Sequence, residues 1–257
     1  MGWLTQLVEA RGAEALDLHA QTINPQFVKL LRTIGFDRRW ARAQGAHLWD
    51  DEGNRYLDLL GGFGMFNVGR NNPRVREALV EALELERPGS VQLGVDVLPA
   101  LLAEELLRRA PASVERVLFT SSGTEAVEAA IKLGRAASGG RSRVLSAEHG
   151  FHGLTLGALS ANAGPEFTER FGPLLPGFER VPWNDLKALE RELSREDVAL
   201  FLVEPVQGTR SKPGSSGPKR SVNSGPALAE SAPSVSPWKP CSAESTRERP
   251  PWRRGRA

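Results

Sequence analysis

Three short segments carry residue types and spacings that could do chemistry. The first, Ser122-Gly123-Thr124-Glu125, follows the apolar run Arg116-Val117-Leu118-Phe119-Thr120 and leads into an Ala-rich stretch with helical spacing. A serine with a glutamate three residues on is a capping box, which sets a helix start at Ser122. The amides of Gly123 and Thr124 then point out of that start, where the helix dipole favours an anion. Gly123 lets backbone approach an oxyanion closely, and the Ser122 and Thr124 hydroxyls add donors. On their own, the same residues also describe an ordinary helix cap.

The second segment is Glu148-His149-Gly150-Phe151-His152-Gly153, after the strand-like run Arg143-Val144-Leu145-Ser146. Open α/β sheets bind ligands beyond the carboxyl ends of their strands. An aromatic held there between glycines could stack on a flat heterocycle, or it could pack inward. His149 and His152 lack a carboxylate or cysteine at a metal-ligand spacing, so solvated histidines are expected rather than a metal centre. The third segment, Glu204-Pro205-Val206-Gln207-Gly208, ends the apolar run Val198–Val203 and puts a carboxylate at the same kind of edge. It reads equally as an ordinary strand-end carboxylate. Gly61-Gly62-Phe63-Gly64 looks superficially dinucleotide-binding, but Asn67 stands at the third glycine's place and no strand–helix context supports it.

These segments need elements to position them. Ala46–Asp58 reads as two short strands about a Gly-Asn turn, and helices are expected from Pro73 and after Pro99 by their leucine and valine spacing. From Val114 the rhythm becomes strand, turn, helix. Strands are expected at Arg116–Thr120, Arg143–Ser146, Glu179–Trp183 and Val198–Val203, with helices at Gly123–Ala137 and Asp185–Ser194. Continuous apolar strands alternating with helices predict an α/β fold with a mostly parallel sheet covered on both faces. The expected division is 1–95, a small N-terminal α+β part with hairpin and helices; 96–208, the first part of a large domain; and 209–257, a tail.

Composition narrows the class. Hydrophobic residues at 40% and charged residues at 25% suit a globular chain rather than a disordered one. The single cysteine, Cys241, excludes an internal disulfide framework and fits a reducing compartment. With no signal-peptide pattern and no run of membrane-spanning length, a cytoplasmic location and no membrane partner are expected. Residues 209–257 hold ten Lys and Arg against three Glu, a net of +7, so the total of +2 leaves the first 208 residues at −5. That tail also holds ten Ser and eight of the 18 Pro, too little apolar matter to offset ordering entropy, and it is expected to be disordered.

Taken together and in order, the motifs resemble the class III, ornithine-aminotransferase-like family of pyridoxal-phosphate (PLP) enzymes. The likeness runs from about Pro25 to Gly208 and rests on Leu59–Gly69, Ser122–Ala129, Phe151–Ser160 and Glu204–Gly208. Within that family, Gly62-Phe63-Gly64, Pro173–Phe178 and the stretch before Trp183 look most like putrescine and related diamine aminotransferases. The resemblance implies a fold-type I enzyme, homodimeric, with PLP as cofactor. It implies transfer of an amino group from a diamine or ω-amino acid to a 2-oxo acid. The amides of Gly123 and Thr124 would cradle the PLP phosphate with Ser122 capping the helix. Phe151 would stack on the pyridine ring, His152 would flank it, and Glu204 would line the cleft as a substrate-side residue.

The same resemblance exposes what is missing. The family needs a Schiff-base lysine and an aspartate on the pyridine nitrogen, both beyond the Glu-Pro-Val-Gln-Gly segment. Here the last aspartate is Asp197; Lys212, Lys219 and Lys239 match no family motif, and Lys132 and Lys187 fall on helices before it. No catalytic residue is therefore assigned, and the chain as written is expected to be inactive, poorly soluble, and frameshifted in its tail. The alternative is a non-catalytic relic or dimerising fragment whose basic tail binds acidic partners. No nucleic-acid module is recognisable.

Overall fold

Side-chain caps set most of the helix starts. A computed structural model describes residues 2–89 and 91–208; the tail 209–257, with its lysines and its expected disorder, lies outside the described residues. Two units are distinguished, Met1–Val117 and Leu118–Ala257.

In the first unit, helices α1 (Trp3–Arg11) and α2 (Ala15–Thr22) are followed by α3 (Pro25–Thr33). Asn24 caps α3 by accepting the Phe27 amide at 3.0 Å, with Pro25 at the first helical position. Strands β1 (Trp40–Gln44), β2 (His47–Asp50) and β3 (Arg55–Leu57) form an antiparallel sheet in that order. The hairpin expected from Ala46–Asp58 is β2–β3, and β1 is an addition that the sequence pattern did not announce. Buried Asp50 ties the turn, accepting from the Asn54 amide at 2.8 Å, the Glu52 amide at 3.1 Å and the Tyr56 hydroxyl at 2.9 Å. Helices α4 (Pro73–Glu84) and α5 (Val97–Arg109) follow, capped by Asn72 and Asp96. Both leave their apolar stripes uncovered among the described residues: Val75, Leu79 and Leu83 on one, Leu101, Leu102 and Leu106 on the other.

The second unit is an α/β layer structure. Helix α6 (Gly123–Ala137) starts where the capping box places it. Strands β4 (Arg143–Ala147), β5 (Phe178–Val181) and β6 (Val198–Leu202) make a parallel sheet with β4 central, in the order β5-β4-β6. Every residue of β4 is buried, as a strand covered on both faces requires. On one face lie α6 and α7 (Leu156–Ala161). There Ser146 donates to the Ala161 carbonyl at 2.8 Å, and Gly134 of α6 sits so close to Leu200 that a Cβ would lie 3.1 Å from it. On the other face Leu145, Val181 and Val198 form a core joined by Phe201 and by Leu189 of α9 (Leu186–Leu193). Burying a side chain such as Leu145 stabilises by about 2 kcal/mol. The short helix α8 (Pro165–Thr168) completes the described elements. No described helix is long and apolar enough to cross a membrane.

One expected strand is absent. Arg116–Thr120 pairs with nothing among the described residues and is assigned no strand, and Leu118 and Phe119 are exposed. Apolar sequence confers strand propensity, but a strand exists only as a member of a ladder. The expected third strand also starts one residue early, at Phe178, and stops before Pro182, which has no N–H to donate.

Candidate active site

The parallel sheet brings the ends of β4 and β6 to one edge. Ser146 is in register with Leu202, so the loops that follow, Glu148–Gly153 and Val203–Gly208, leave side by side. Glu204 accepts the Phe151 amide at 3.0 Å, and the Gln207 amide group donates to the Glu148 carbonyl at 2.7 Å. Two residues from the third motif thus fasten the second motif.

The loop itself is shaped by glycines and by Asn162. Gly150 leaves room for the His152 ring: a Cβ there would lie 2.8 Å from its Nε2. Asn162, fully buried, accepts the His152 amide at 2.7 Å and donates to the Gly153 carbonyl at 2.8 Å. His152 is not a solvated histidine. Its Nε2 is buried with no hydrogen-bond partner among the described residues, and burial pushes the imidazole below its ordinary value while the Glu204 charge opposes that. The Phe151 ring is partly exposed and packs tilted on Phe167 with centroids 5.1 Å apart.

Gly153 carries the loop onto the start of α6. Its φ of +126° and its approach to Thr124, whose Oγ1 would stand 2.2 Å from a Cβ, admit only glycine. At that start the Ser122 hydroxyl oxygen accepts the Glu125 amide at 3.3 Å, and the Glu125 carboxylate accepts the Ser121 amide at 2.7 Å. The reciprocal cap is therefore present, with its return bond one residue earlier than a standard box. Gly123 and Thr124 are the first two residues of the helix, so their N–H groups have no carbonyl to bond within it. A Cβ on Gly123 would meet nothing within 4 Å.

The fold thus gathers all six sequence-selected residues: Ser122, Gly123 and Thr124 at the helix start, Phe151 and His152 on the loop against it, and Glu204 beneath that loop. The arrangement can hold an anion on amides and a flat group beside an aromatic ring. Sequence reading missed Asn162, Gln207, Thr155 and Glu128. Glu128 had a signal: it lies four residues after Thr124, on the same face of α6.

A class III aminotransferase family model matches residues 35–211. The chain belongs to the class III aminotransferases. A putrescine aminotransferase of Pectobacterium atrosepticum is 40% identical, over 77% of this chain and 45% of that protein. An acetylornithine aminotransferase of Methanopyrus kandleri is 45% identical, over 64% of this chain and 42% of that protein. Among solved structures, the ornithine aminotransferase from Toxoplasma gondii, with partial occupancy of PLP at its active site, is similar with a TM-score of 0.62. It is 28% identical over 71% of this chain and 45% of its own. The chain spans less than half the length of the curated class III relatives it matches.

Proposed function

We propose that residues 118–208 form the phosphate- and ring-binding side of a PLP-dependent aminotransferase that moves an amino group from a diamine or ω-amino acid to a 2-oxo acid. The observation that carries this reading is the start of α6, with Gly123 and Thr124 as its first residues, packed against the loop that carries Phe151 and His152 through Gly153 and Thr155. Bound PLP supplies an electron-withdrawing ring that allows an amino group to be exchanged for a carbonyl.

The chain's own residues bind and orient. The α6 amides hold the phosphate and the helix dipole favours its charge. Phe151 stacks on the ring, Glu204 keeps the Phe151 amide and so the ring face in place, and His152 closes the flank with a neutral imidazole. A donor with a second amino group, as in putrescine or ornithine, is supported by the likeness to a putrescine and an ornithine aminotransferase and by the motifs around Gly62 and Pro173. A homodimer is supported by the uncovered stripes of α4 and α5.

Covalent attachment and proton shuttling need a lysine, and protonation of the ring an aspartate; Asp197 is the last aspartate, and Lys212, Lys219 and Lys239 match no family motif. The test is to translate the coding DNA past codon 208 in all three frames, express the frame that supplies both groups, and assay putrescine and ornithine with 2-oxoglutarate. Turnover is expected there and not in the 257-residue chain alone. Turnover by the 257 residues overturns the need for a further lysine and aspartate, and failure of either protein to retain PLP overturns the reading.

A further inference from the structure

The hydrogen bonds around Thr124 have a direction. Glu128 Oε1 accepts from the Thr155 hydroxyl at 2.6 Å and from the amides of Gly157 and Ala158 at 2.8 and 3.1 Å. Burial pushes this carboxyl up, but the Thr155 bond, the two amides and the nearby Lys132 outweigh it and hold it below its ordinary value. Glu128 is therefore ionised and can only accept. A hydroxyl has one proton, and that of Thr155 is spent on Glu128. The contact of 2.8 Å between Thr155 Oγ1 and Thr124 Oγ1 must then use the proton of Thr124.

Thr124 thus has no hydroxyl proton left for an anion. Its Oγ1 is further engaged by the Thr155 amide at 3.4 Å. Ser122 differs: its Oγ accepts from the Glu125 amide, and its own proton has no acceptor among the described residues.

We propose that Glu128 is a positioning residue. Its accepting side-chain oxygen orders a relay, Thr124 to Thr155 to Glu128, that turns the Thr124 hydroxyl away from the anion and fixes the Thr124 amide toward it. The anion is then bound by the Gly123 and Thr124 amides and the Ser122 hydroxyl, not by the Thr124 side chain as its residue type suggests. This rests on the phosphate-cradle reading above. Gly153 is part of the device, because any side chain there would displace Thr124.

The test measures dissociation constants of PLP and of pyridoxal, which lacks the phosphate, for the full 257-residue chain and its variants. Glu128→Ala releases the relay, so that the Thr124 amide is no longer held toward the phosphate; this is expected to weaken PLP about tenfold, roughly the worth of one hydrogen bond to a charged group, and to leave pyridoxal unchanged. Glu128→Gln, which still accepts, restores most of the preference. In a Thr124→Val background, Glu128→Ala has little further effect, because the relay is already cut. Additive losses from Thr124→Val and Glu128→Ala overturn the relay, as does a phosphate preference that survives Glu128→Ala. Equal weakening of both ligands also overturns it, by showing a merely structural role. If Glu128→Ala does not fold, Thr155→Val cuts the relay at its middle and is read the same way. An unaltered chain with no preference for PLP over pyridoxal refutes the cradle itself, and the relay with it, and so is told apart from failure of the relay alone.

Discussion

Glu204 reaches across 53 residues of sequence to accept the backbone N–H of Phe151 at 3.0 Å. The bond ties the end of β6 to the loop after β4. A carboxylate at this place acts directly on the loop.

Glu204→Ala leaves the Phe151 amide without that acceptor, and PLP affinity is expected to fall roughly tenfold. Glu204→Gln keeps an acceptor oxygen and holds most of it. Removing the carboxylate also lets the His152 pKa fall further, since Glu204 is the group that opposes the burial effect. Ligand titration and an NMR titration of the imidazole check the two halves separately; an unchanged His152 would show that Glu204 does not sense it.

Gly153→Ala tests the close approach of loop and helix. The φ of +126° costs a side chain about 1–3 kcal/mol, and the collision with Thr124 adds to it. A fall in the urea midpoint with an unchanged slope is the expected result. A neutral substitution would mean that Thr124 and the loop are farther apart than found.

Arg143 is buried at the amino end of β4 and meets Glu179 at 2.6 Å, Glu192 at 2.5 Å and Asp197 at 2.7 Å. Breaking this cluster from one side is expected to destabilise the chain, because Arg143→Ala removes the buried partner of three carboxylates and leaves only the half-exposed Arg195 against them. Hydrogen bonds from Arg143 hold Glu192 and Asp197 below the ordinary carboxylate range. Their contribution is present above that range, near pH 4, and is lost as pH falls through the depressed values. Denaturation curves should therefore show the gap between wild type and variant largest at neutral pH and shrinking on acidification.

His152 predicts a second pH effect, at higher pH. Because burial depresses its folded value, the unfolded chain binds the proton more readily. Stability is full above about pH 6.5 and declines as pH falls from there through the depressed value. His152→Gln should flatten the denaturation midpoint across that window. A slope that persists in the variant would assign it to another group.

Much of this chain was legible in its residues because the signals are local. Ser122 and Glu125 mark a helix start within four residues, Asp185 caps α9 by accepting the Ala188 amide at 2.9 Å, and the apolar runs at Arg143 and Val198 become neighbouring parallel strands. The ordered set of motifs from Leu59 to Gly208 specified the family, and with it the expectation of a site that includes Gly123, Phe151 and Glu204.

The tertiary structure decided the rest. The run Arg116–Thr120 has strand composition but no ladder partner among the described residues, and pairing, not composition, makes a strand. Thr124 has the residue type of an anion donor, yet the direction of its proton is set by Thr155 and by Glu128, which meets Thr155 from 27 residues away. His152 reads as a solvated loop histidine until Gly150, Asn162 and Glu204 enclose it. Caps and periodicity depend on atoms a few residues apart, so sequence alone determines them. Hydrogen-bond partners and burial depend on which loops the parallel register of β4 and β6 sets side by side, and that register exists only once the chain has folded.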